Sequence, residues 1–153
     1  MAEETVTAPP AGRHPSPSRA APATVLVPMR EILLVADLPW VADAVQAALG
    51  GASCHLTTTA DPAAAVSAWQ ESQAHVVLID LQVGSRGGMA VVRDLRAAAQ
   101  AAAVPLPATV LLLDRTVDAF LARRAGADAW IRKPFGGFSL RRLVDRVAAK
   151  PSP

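Results

Sequence analysis

Three apolar runs in this chain each end in an aspartate, and no other feature of the sequence restricts the fold so strongly. The runs are ILLVAD, which ends in Asp37, VVLID, which ends in Asp80, and TVLLLD, which ends in Asp114. A short, continuous apolar run predicts a strand covered on both faces, as in a parallel sheet. A carboxylate at the end of such a strand must reach water or meet a cation. Three strands that finish in this way suggest one shared site.

Helical patterns separate these strands from one another and from two weaker ones. We predict strands at 32–36, 53–58, 76–79, 109–113 and 128–132. Since crossovers between parallel strands are right-handed, the fold class is α/β, with a five-stranded parallel sheet, doubly wound with helices on both sides. Ligands of such sheets bind at the carboxyl ends of the strands, where the three aspartates are expected.

The two last helices are predicted from different evidence. Val117, Phe120 and Leu121 indicate a short fourth helix that ends at Gly126. The last helix is amphipathic, because its apolar residues follow the spacing i, i+3, i+4, i+7, and these are Leu140, Leu143, Val144 and Val147.

The folded domain is expected to span residues 29–150. Residues 1–28 are rich in Pro and Ala, which predicts a disordered tail, and residues 151–153 are expected to form a short C-terminal tail. Met29 stands just before the first strand and offers a second place at which translation could begin. No residues are left for an effector domain, so we expect a stand-alone domain that does not bind nucleic acid.

Charge and composition limit the cellular location and the kinds of binding partner that we predict. The net charge is +2, too small to indicate nucleic acid by itself. Nine of the fifteen Lys and Arg residues follow Asp114, against three acids, so the C-terminal third forms a basic face. No apolar run reaches the length of a membrane span, and Glu3 and Glu4 are unlike the start of a signal peptide. We therefore predict a cytoplasmic protein that makes no membrane contact.

The chemistry of the strand ends favours phosphoryl transfer. Crowded carboxylates persist when a cation neutralises them, and hard oxygen ligands around an open position suit magnesium. A carboxylate can itself act as a nucleophile and form an acyl phosphate. Lys133 stands at the end of the fifth predicted strand and is one of only two lysines among fifteen basic residues. Because the chain otherwise uses arginine, we expect the ammonium group of Lys133 to have a specific role at this position.

These residues resemble the receiver domain of two-component response regulators. The resemblance runs from about residue 31 to residue 149, through the blocks ILLVADLP, VVLIDLQVGSRGG and GADAWIRKPF. It implies the flavodoxin-like (βα)5 receiver fold, with Asp80 as the phospho-acceptor and Lys133 as the lysine that contacts the phosphoryl group. It also implies a magnesium site formed by Asp37, Asp80 and the backbone carbonyl of Gln82, and a cis bond between Lys133 and Pro134.

The chain departs from the family pattern at four positions. Ala36 replaces the first residue of an acid pair, which predicts weak magnesium binding, and Gly84 stands where proline is common. Asp114 replaces a Ser or Thr that hydrogen-bonds the phosphoryl group, and Arg115 replaces a small residue that leaves room for the phosphodonor. An ionised aspartate cannot donate a hydrogen bond and repels a phosphoryl dianion.

Asp37 and Asp114 each keep more than one interpretation. Asp37 either caps the helix that begins at Pro39 or binds a metal ion, or does both. Asp114 either caps the helix after Thr116 or pairs with Lys133 or Arg115. If it pairs with Lys133, we expect that lysine to be held partly away from Asp80.

Two functions remain open, and neither is an enzyme. The first is a single-domain response regulator in a phosphorelay, which a histidine kinase or small phosphodonor phosphorylates on Asp80 and which signals by binding a protein target. The second is a pseudo-receiver, a binding or scaffold module that does not depend on phosphorylation. DLPW after the first strand excludes a flavin phosphate loop and a G-x-G-x-x-G dinucleotide motif.

A basic surface is the candidate interaction face. One interpretation is that this surface is simply solvated. The other is that it is a docking surface, either for an acidic partner or for a second copy of the chain that binds through the last helix. Its expected residues are Trp130, Arg123, Arg124, Arg132, Arg141, Arg142 and Arg146.

Overall fold

The structure is a computed structural model that describes Gly12 and residues 28–51 and 53–150. The strands are β1 (Arg30–Val35), β2 (Cys54–Thr59), β3 (Val76–Asp80), β4 (Ala108–Leu113) and β5 (Ala129–Arg132). The helices are α1 (Pro39–Leu49), α2 (Ala65–Ser72), α3 (Gly87–Ala102), α4 (Ala119–Ala125) and α5 (Gly137–Ala148). Apart from Gly12 and Pro28, the two predicted tails lie outside the described residues.

The five strands form one parallel sheet in the order β2-β1-β3-β4-β5. The predicted fold class is confirmed. The chain moves outward from β1 in one direction to β2 and in the other to β3, so the loops that follow β1 and β3 diverge. This divergence opens a crevice at the carboxyl ends of the central strands, where ligands of open α/β sheets bind.

Helices cover both faces of the sheet, as the continuous apolar strands predict. On one face, Ile32 and Leu34 of β1 pack in a buried cluster with residues of α1 and α5. On the other, Leu33 and Val35 pack with residues of α2, α3 and α4. Because successive side chains of a strand point to opposite faces, a run without polar residues fills both layers at once.

The predicted short fourth helix is confirmed and ends before Gly126. Two of the apolar residues that indicated it do not enter the core, since Val117 and Phe120 are 71% and 57% exposed, whereas Ala122 is fully buried. A 3-10 turn, Thr116–Asp118, precedes α4 and rotates the start of the helix relative to an ideal α-helical pattern.

None of the helices in the described part of the chain combines the length and the hydropathy needed to span a bilayer.

Candidate functional site

Four charged side chains follow the carboxyl ends of neighbouring strands. Asp37 lies just after β1, Asp80 ends β3, Asp114 follows β4 and Lys133 follows β5. The order of the strands places these four ends side by side along one edge. The structure therefore places side by side the four charged residues that the sequence predicted at one edge of the sheet.

Asp80 lies at the bottom of this pocket with 0% exposure. Its Oδ1 accepts hydrogen bonds from the Nζ of Lys133 at 2.9 Å and from the backbone N–H of Gln82 at 3.1 Å. Its Oδ2 is buried and has no hydrogen-bond partner within the described ranges. A buried carboxylate oxygen without a partner is costly, so this atom is where a bound cation or a transferred group would be stabilised.

Lys133 bridges two carboxylates. Its side chain is 2% exposed, and Nζ lies 2.9 Å from Asp80 Oδ1 and 3.2 Å from Asp114 Oδ1. The backbone N–H of Lys133 donates to the carbonyl of Leu113, and the bond to Pro134 is cis, as expected. The predicted approach of Asp114 to Lys133 is confirmed, whereas the expectation that Lys133 is held away from Asp80 was wrong.

Asp114 reaches this pocket from the solvent side. Its side chain is 42% exposed, and it does not cap the turn that follows, because the N-cap residue there is Arg115 and no side chain bonds to that end. Arg115 pairs instead with the buried carboxylate of Asp118 at 3.0 Å. Of the predicted alternatives for Asp114, the structure selects the pair with Lys133.

Asp37 contacts the opposite wall of the crevice. Its Oδ2 accepts a hydrogen bond from the backbone N–H of Gly84 at 3.0 Å. It does not cap α1, whose N-cap residue is Leu38 and which has no side-chain cap. A proline at position 84 would lack this N–H, so the contact depends on one of the departures from the family pattern.

The residues predicted for the interaction face separate into two groups. Arg141 donates two hydrogen bonds to the carbonyl of Ala48 between α5 and α1, and Asp145, four residues further along α5, pairs with Arg30. Trp130 is half-buried beneath Arg123, whose guanidinium carbon lies 5.1 Å from the ring centroid. The remaining members are exposed and form no ion pair with described residues, and these are Arg124, Arg132, Arg142 and Arg146.

Sequence reasoning missed two contributors to the pocket. The ring centroid of Trp40 lies 5.5 Å from the Nζ of Lys133, close enough for a cation–π contact, and the N–H of Gly84 holds Asp37. Trp40 could have been found from its place, because it follows the end of β1 by a few residues and must lie near the other strand ends. A backbone N–H leaves no such signal in the sequence.

The fold and the pocket define a class: doubly wound α/β proteins that gather carboxylates and one buried lysine at the carboxyl ends of parallel strands. A model of the response regulator receiver domain matches residues 32–148, and the chain belongs to that family. The domain is thus a signalling module of two-component systems.

Curated relatives agree with this assignment. The chain is similar to the DNA-binding response regulator MtrA of Mycolicibacterium smegmatis, with 33% identity over 121 residues, which are 79% of this chain and 50% of MtrA. It is 28% identical to the sensory transduction protein RegX3 of the same organism over equal shares. The chain therefore spans about half the length of the curated relatives that it matches.

Solved structures show the same fold. The chemotaxis response regulator CheY4 of Vibrio cholerae superposes with a TM-score of 0.67 at 25% identity, covering 78% of this chain and 98% of CheY4. The receiver domain of Klebsiella pneumoniae RstA gives a TM-score of 0.68 at 24% identity, over 79% of this chain and all of the other.

Proposed function

We propose that this receiver accepts a phosphoryl group on Asp80 from a histidine kinase or a small phosphodonor, and that it signals by binding a protein target. The observation that carries the proposal is the asymmetry of the Asp80 carboxylate. Lys133 and the N–H of Gln82 fix Oδ1, whereas Oδ2 is buried without a partner in the described part of the chain. One oxygen is thus anchored, and the other is left to act as the nucleophile.

The transfer is a single displacement at phosphorus. An oxygen of Asp80 forms the new P–O bond with its electron pair. The bond from phosphorus to the donor breaks, and its electron pair leaves with the imidazole nitrogen of a phosphohistidine or the carboxylate oxygen of an acyl phosphate. The ammonium of Lys133, already 2.9 Å from Asp80, offsets the negative charge on the phosphoryl oxygens.

The pocket also has the chemistry to hold Mg²⁺. Asp37, Asp80 and the backbone carbonyl of Gln82 would be its protein ligands, and bound Mg²⁺ would neutralise charge on the phosphoryl oxygens. The ends of β1, β3, β4 and β5 carry three carboxylates and one lysine, which leaves net negative charge for a cation. The described residues contain no group of three or more side chains arranged as a ready metal site, and Asp37 already bonds to Gly84, so binding is weak. An unchanged Mg²⁺ affinity in Asp37→Ala would place the ion elsewhere.

Intact mass after incubation with Mg²⁺ and acetyl phosphate tests the proposal. The wild-type chain should gain one phosphoryl group, and Asp80→Asn should gain none. Asp94→Asn is the control, because Asp94 is a partly exposed carboxylate on α3 that pairs with Arg86. Equal labelling of Asp80→Asn and the wild-type chain would place the modification on another residue.

The exposed arginines of α4, β5 and α5 are the proposed output surface, which we call the basic face: Arg123, Arg124, Arg132, Arg142 and Arg146. Phe138, 73% exposed, and Phe120 add apolar anchors beside them. Arginine together with aromatic residues is the composition of protein-binding hot spots. Two copies joined through this face would oppose like charges, so an acidic protein segment fits it better than a second copy of the chain.

A pseudo-receiver is the second candidate, and one observation favours it. Asp114 places a carboxylate, not a hydroxyl, 3.2 Å from the lysine that a phosphoryl group would need. In that case the chain binds its partner through the basic face without any covalent change. Lack of phosphoryl gain, together with intact binding of an acidic partner, would select this function over the first.

A further inference from the structure

Lys133 is the cation that the two acids of the pocket share. Its Nζ contacts Asp80 and Asp114 through one oxygen of each, at 2.9 and 3.2 Å. The two acids differ in their surroundings, since Asp80 is fully buried and the Asp114 side chain is 42% exposed. The ammonium of Lys133 thus already has two carboxylate partners when no phosphoryl group is present.

Among the described residues, Lys133 is the only cationic side chain paired with Asp80 or Asp114. Arg115 is next in sequence to Asp114, but its guanidinium makes two hydrogen bonds to the carboxylate of Asp118, at 3.0 and 3.3 Å. Trp40 flanks the lysine on another side, with its ring centroid 5.5 Å from Nζ. A phosphoryl group on Asp80 would therefore compete with Asp114 for the same ammonium.

We propose that Asp114 is an internal anion that keeps Lys133 occupied and thereby lowers the extent to which Asp80 is phosphorylated. The inference rests on the proposed phosphorylation of Asp80. Charge repulsion between the Asp114 carboxylate and a phosphoryl dianion a few ångströms away, in a partly buried pocket, destabilises the modified state. Asp114 also repels an anionic donor as it approaches, because it occupies the solvent side of the pocket.

Substitutions at position 114 test this role. Asp114→Asn keeps the shape and removes the charge, and Asp114→Thr supplies a hydroxyl donor in place of the anion. Both should raise the fraction of phosphorylated protein in acetyl phosphate and Mg²⁺, by roughly tenfold at non-saturating donor concentration. Asp114→Glu retains the charge and should stay near the wild-type level. Asp43→Asn, on the exposed side of α1, removes an equal charge outside the pocket and should change nothing.

A second readout follows Lys133 without any phosphodonor. The chain contains two lysines, so uniform labelling with [15N]lysine gives an Nζ signal for Lys133 and one for Lys150, assigned by Lys150→Arg. Asp114→Asn should shift the Lys133 signal and leave that of Lys150 in place. An unmoved Lys133 signal would show that the two side chains do not interact in solution, and the inference would then fail.

The outcomes separate the two proposals. If the wild-type chain is phosphorylated and the Asn and Thr variants are phosphorylated no better, Asp114 has no such role, although Asp80 remains the acceptor. If neither the wild-type chain nor any variant takes a phosphoryl group, the proposed function fails and the inference with it. Higher labelling of Asp114→Asn and Asp114→Thr, with a shifted Lys133 signal, supports both.

Discussion

Asp80 and Lys133 form the most deeply buried ion pair among the described residues. Their side chains are 0% and 2% exposed, and Nζ and Oδ1 lie 2.9 Å apart. Removing one member of a buried pair leaves the other without compensation in a poorly solvated place. We expect Lys133→Ala to lower the free energy of unfolding by about 3–5 kcal/mol, measured by urea denaturation.

Two further variants make this prediction specific to the buried charge. Lys150→Ala changes the other lysine, which is exposed, and should alter stability by no more than about 0.5 kcal/mol. Adding Asp80→Asn to Lys133→Ala removes the uncompensated carboxylate and should restore part of the loss. Additive effects of the two substitutions would mean that the pair is not coupled.

Single residues also show where prediction from sequence succeeds and where it stops. Asp114 and Lys133 end neighbouring strands, so their contact followed from topology and charge. That Lys133 contacts Asp80 and Asp114 at the same time did not follow, because a long flexible side chain can reach either acid and only packing decides. Asp118 is similar: its sequence position beside Arg115 permits an i, i+3 pair, but nothing local predicts its burial.

At the scale of elements, the start of α3 is fixed by how closely the chain passes the backbone of Asp80. A Cβ at Gly88 would lie 2.7 Å from the carbonyl oxygen of Asp80 and 3.0 Å from Leu81 Cα. Backbone atoms cannot move aside as a flexible side chain can. We therefore expect Gly88→Ala to destabilise the fold by about 1–3 kcal/mol in thermal or urea unfolding.

Gly137, in the first turn of α5, is the matched control for Gly88. A Cβ there would make ordinary contacts with Ala48, at 3.5 Å from its Cα and 3.6 Å from its Cβ. Gly137→Ala should be neutral or stabilise by up to about 1 kcal/mol, because alanine loses less entropy in a helix. If both variants are equally stable, close backbone approach at Gly88 does not matter.

Elements differ in how far their sequences determine them. Helix α5 was predicted together with its buried face, since four apolar residues at helical spacing allow only one orientation. Helix α4 has seven residues, too few for a period to identify a face, and the preceding 3-10 turn changes the phase. Phe120 is therefore exposed although hydrophobicity alone would bury it.

For the whole molecule, the distribution of charge predicts the partner. Arg142→Glu and Arg146→Glu should weaken binding of a labelled glutamate-rich peptide, more at low salt than at high salt, as measured by fluorescence anisotropy. Arg93→Glu, an exposed arginine on α3, is the control. Stronger binding to a DNA duplex than to the peptide, or sedimentation as a dimer that the two substitutions abolish, would contradict an acidic protein partner.

Among the described residues, the core of the domain begins in β1. Both buried clusters are built from residue 32 onward, and the hydrogen bonds of β1 begin at Arg30. The chain that starts at Met29 should therefore melt within about 2 °C of the full chain, a shift that corresponds to less than about 1 kcal/mol. A fall of many degrees would show that residues 1–28 contribute to the folded domain.

The overall architecture was the most predictable level. Three apolar runs and two weaker strand patterns, separated by helical patterns, leave few topologies once crossovers are right-handed, and the five-stranded parallel sheet followed. For the site, the sequence predicted which residues lie near one another but not how they contact each other. Its hydrogen bonds depend on loop geometry, such as the N–H of Gly84 that meets Asp37, and no residue pattern encodes that contact.

Chemical mapping of the modified residue tests the central claim most directly, because Asp37, Asp80 and Asp114 all lie at the carboxyl ends of neighbouring strands. Borohydride reduces an aspartyl phosphate to homoserine, and tandem mass spectrometry of the digested chain then identifies the position. After treatment with acetyl phosphate and Mg²⁺, homoserine should appear at position 80, where Oδ2 is the buried oxygen without a partner among the described residues. Homoserine at position 37 or 114, or at none of the three, would contradict the account.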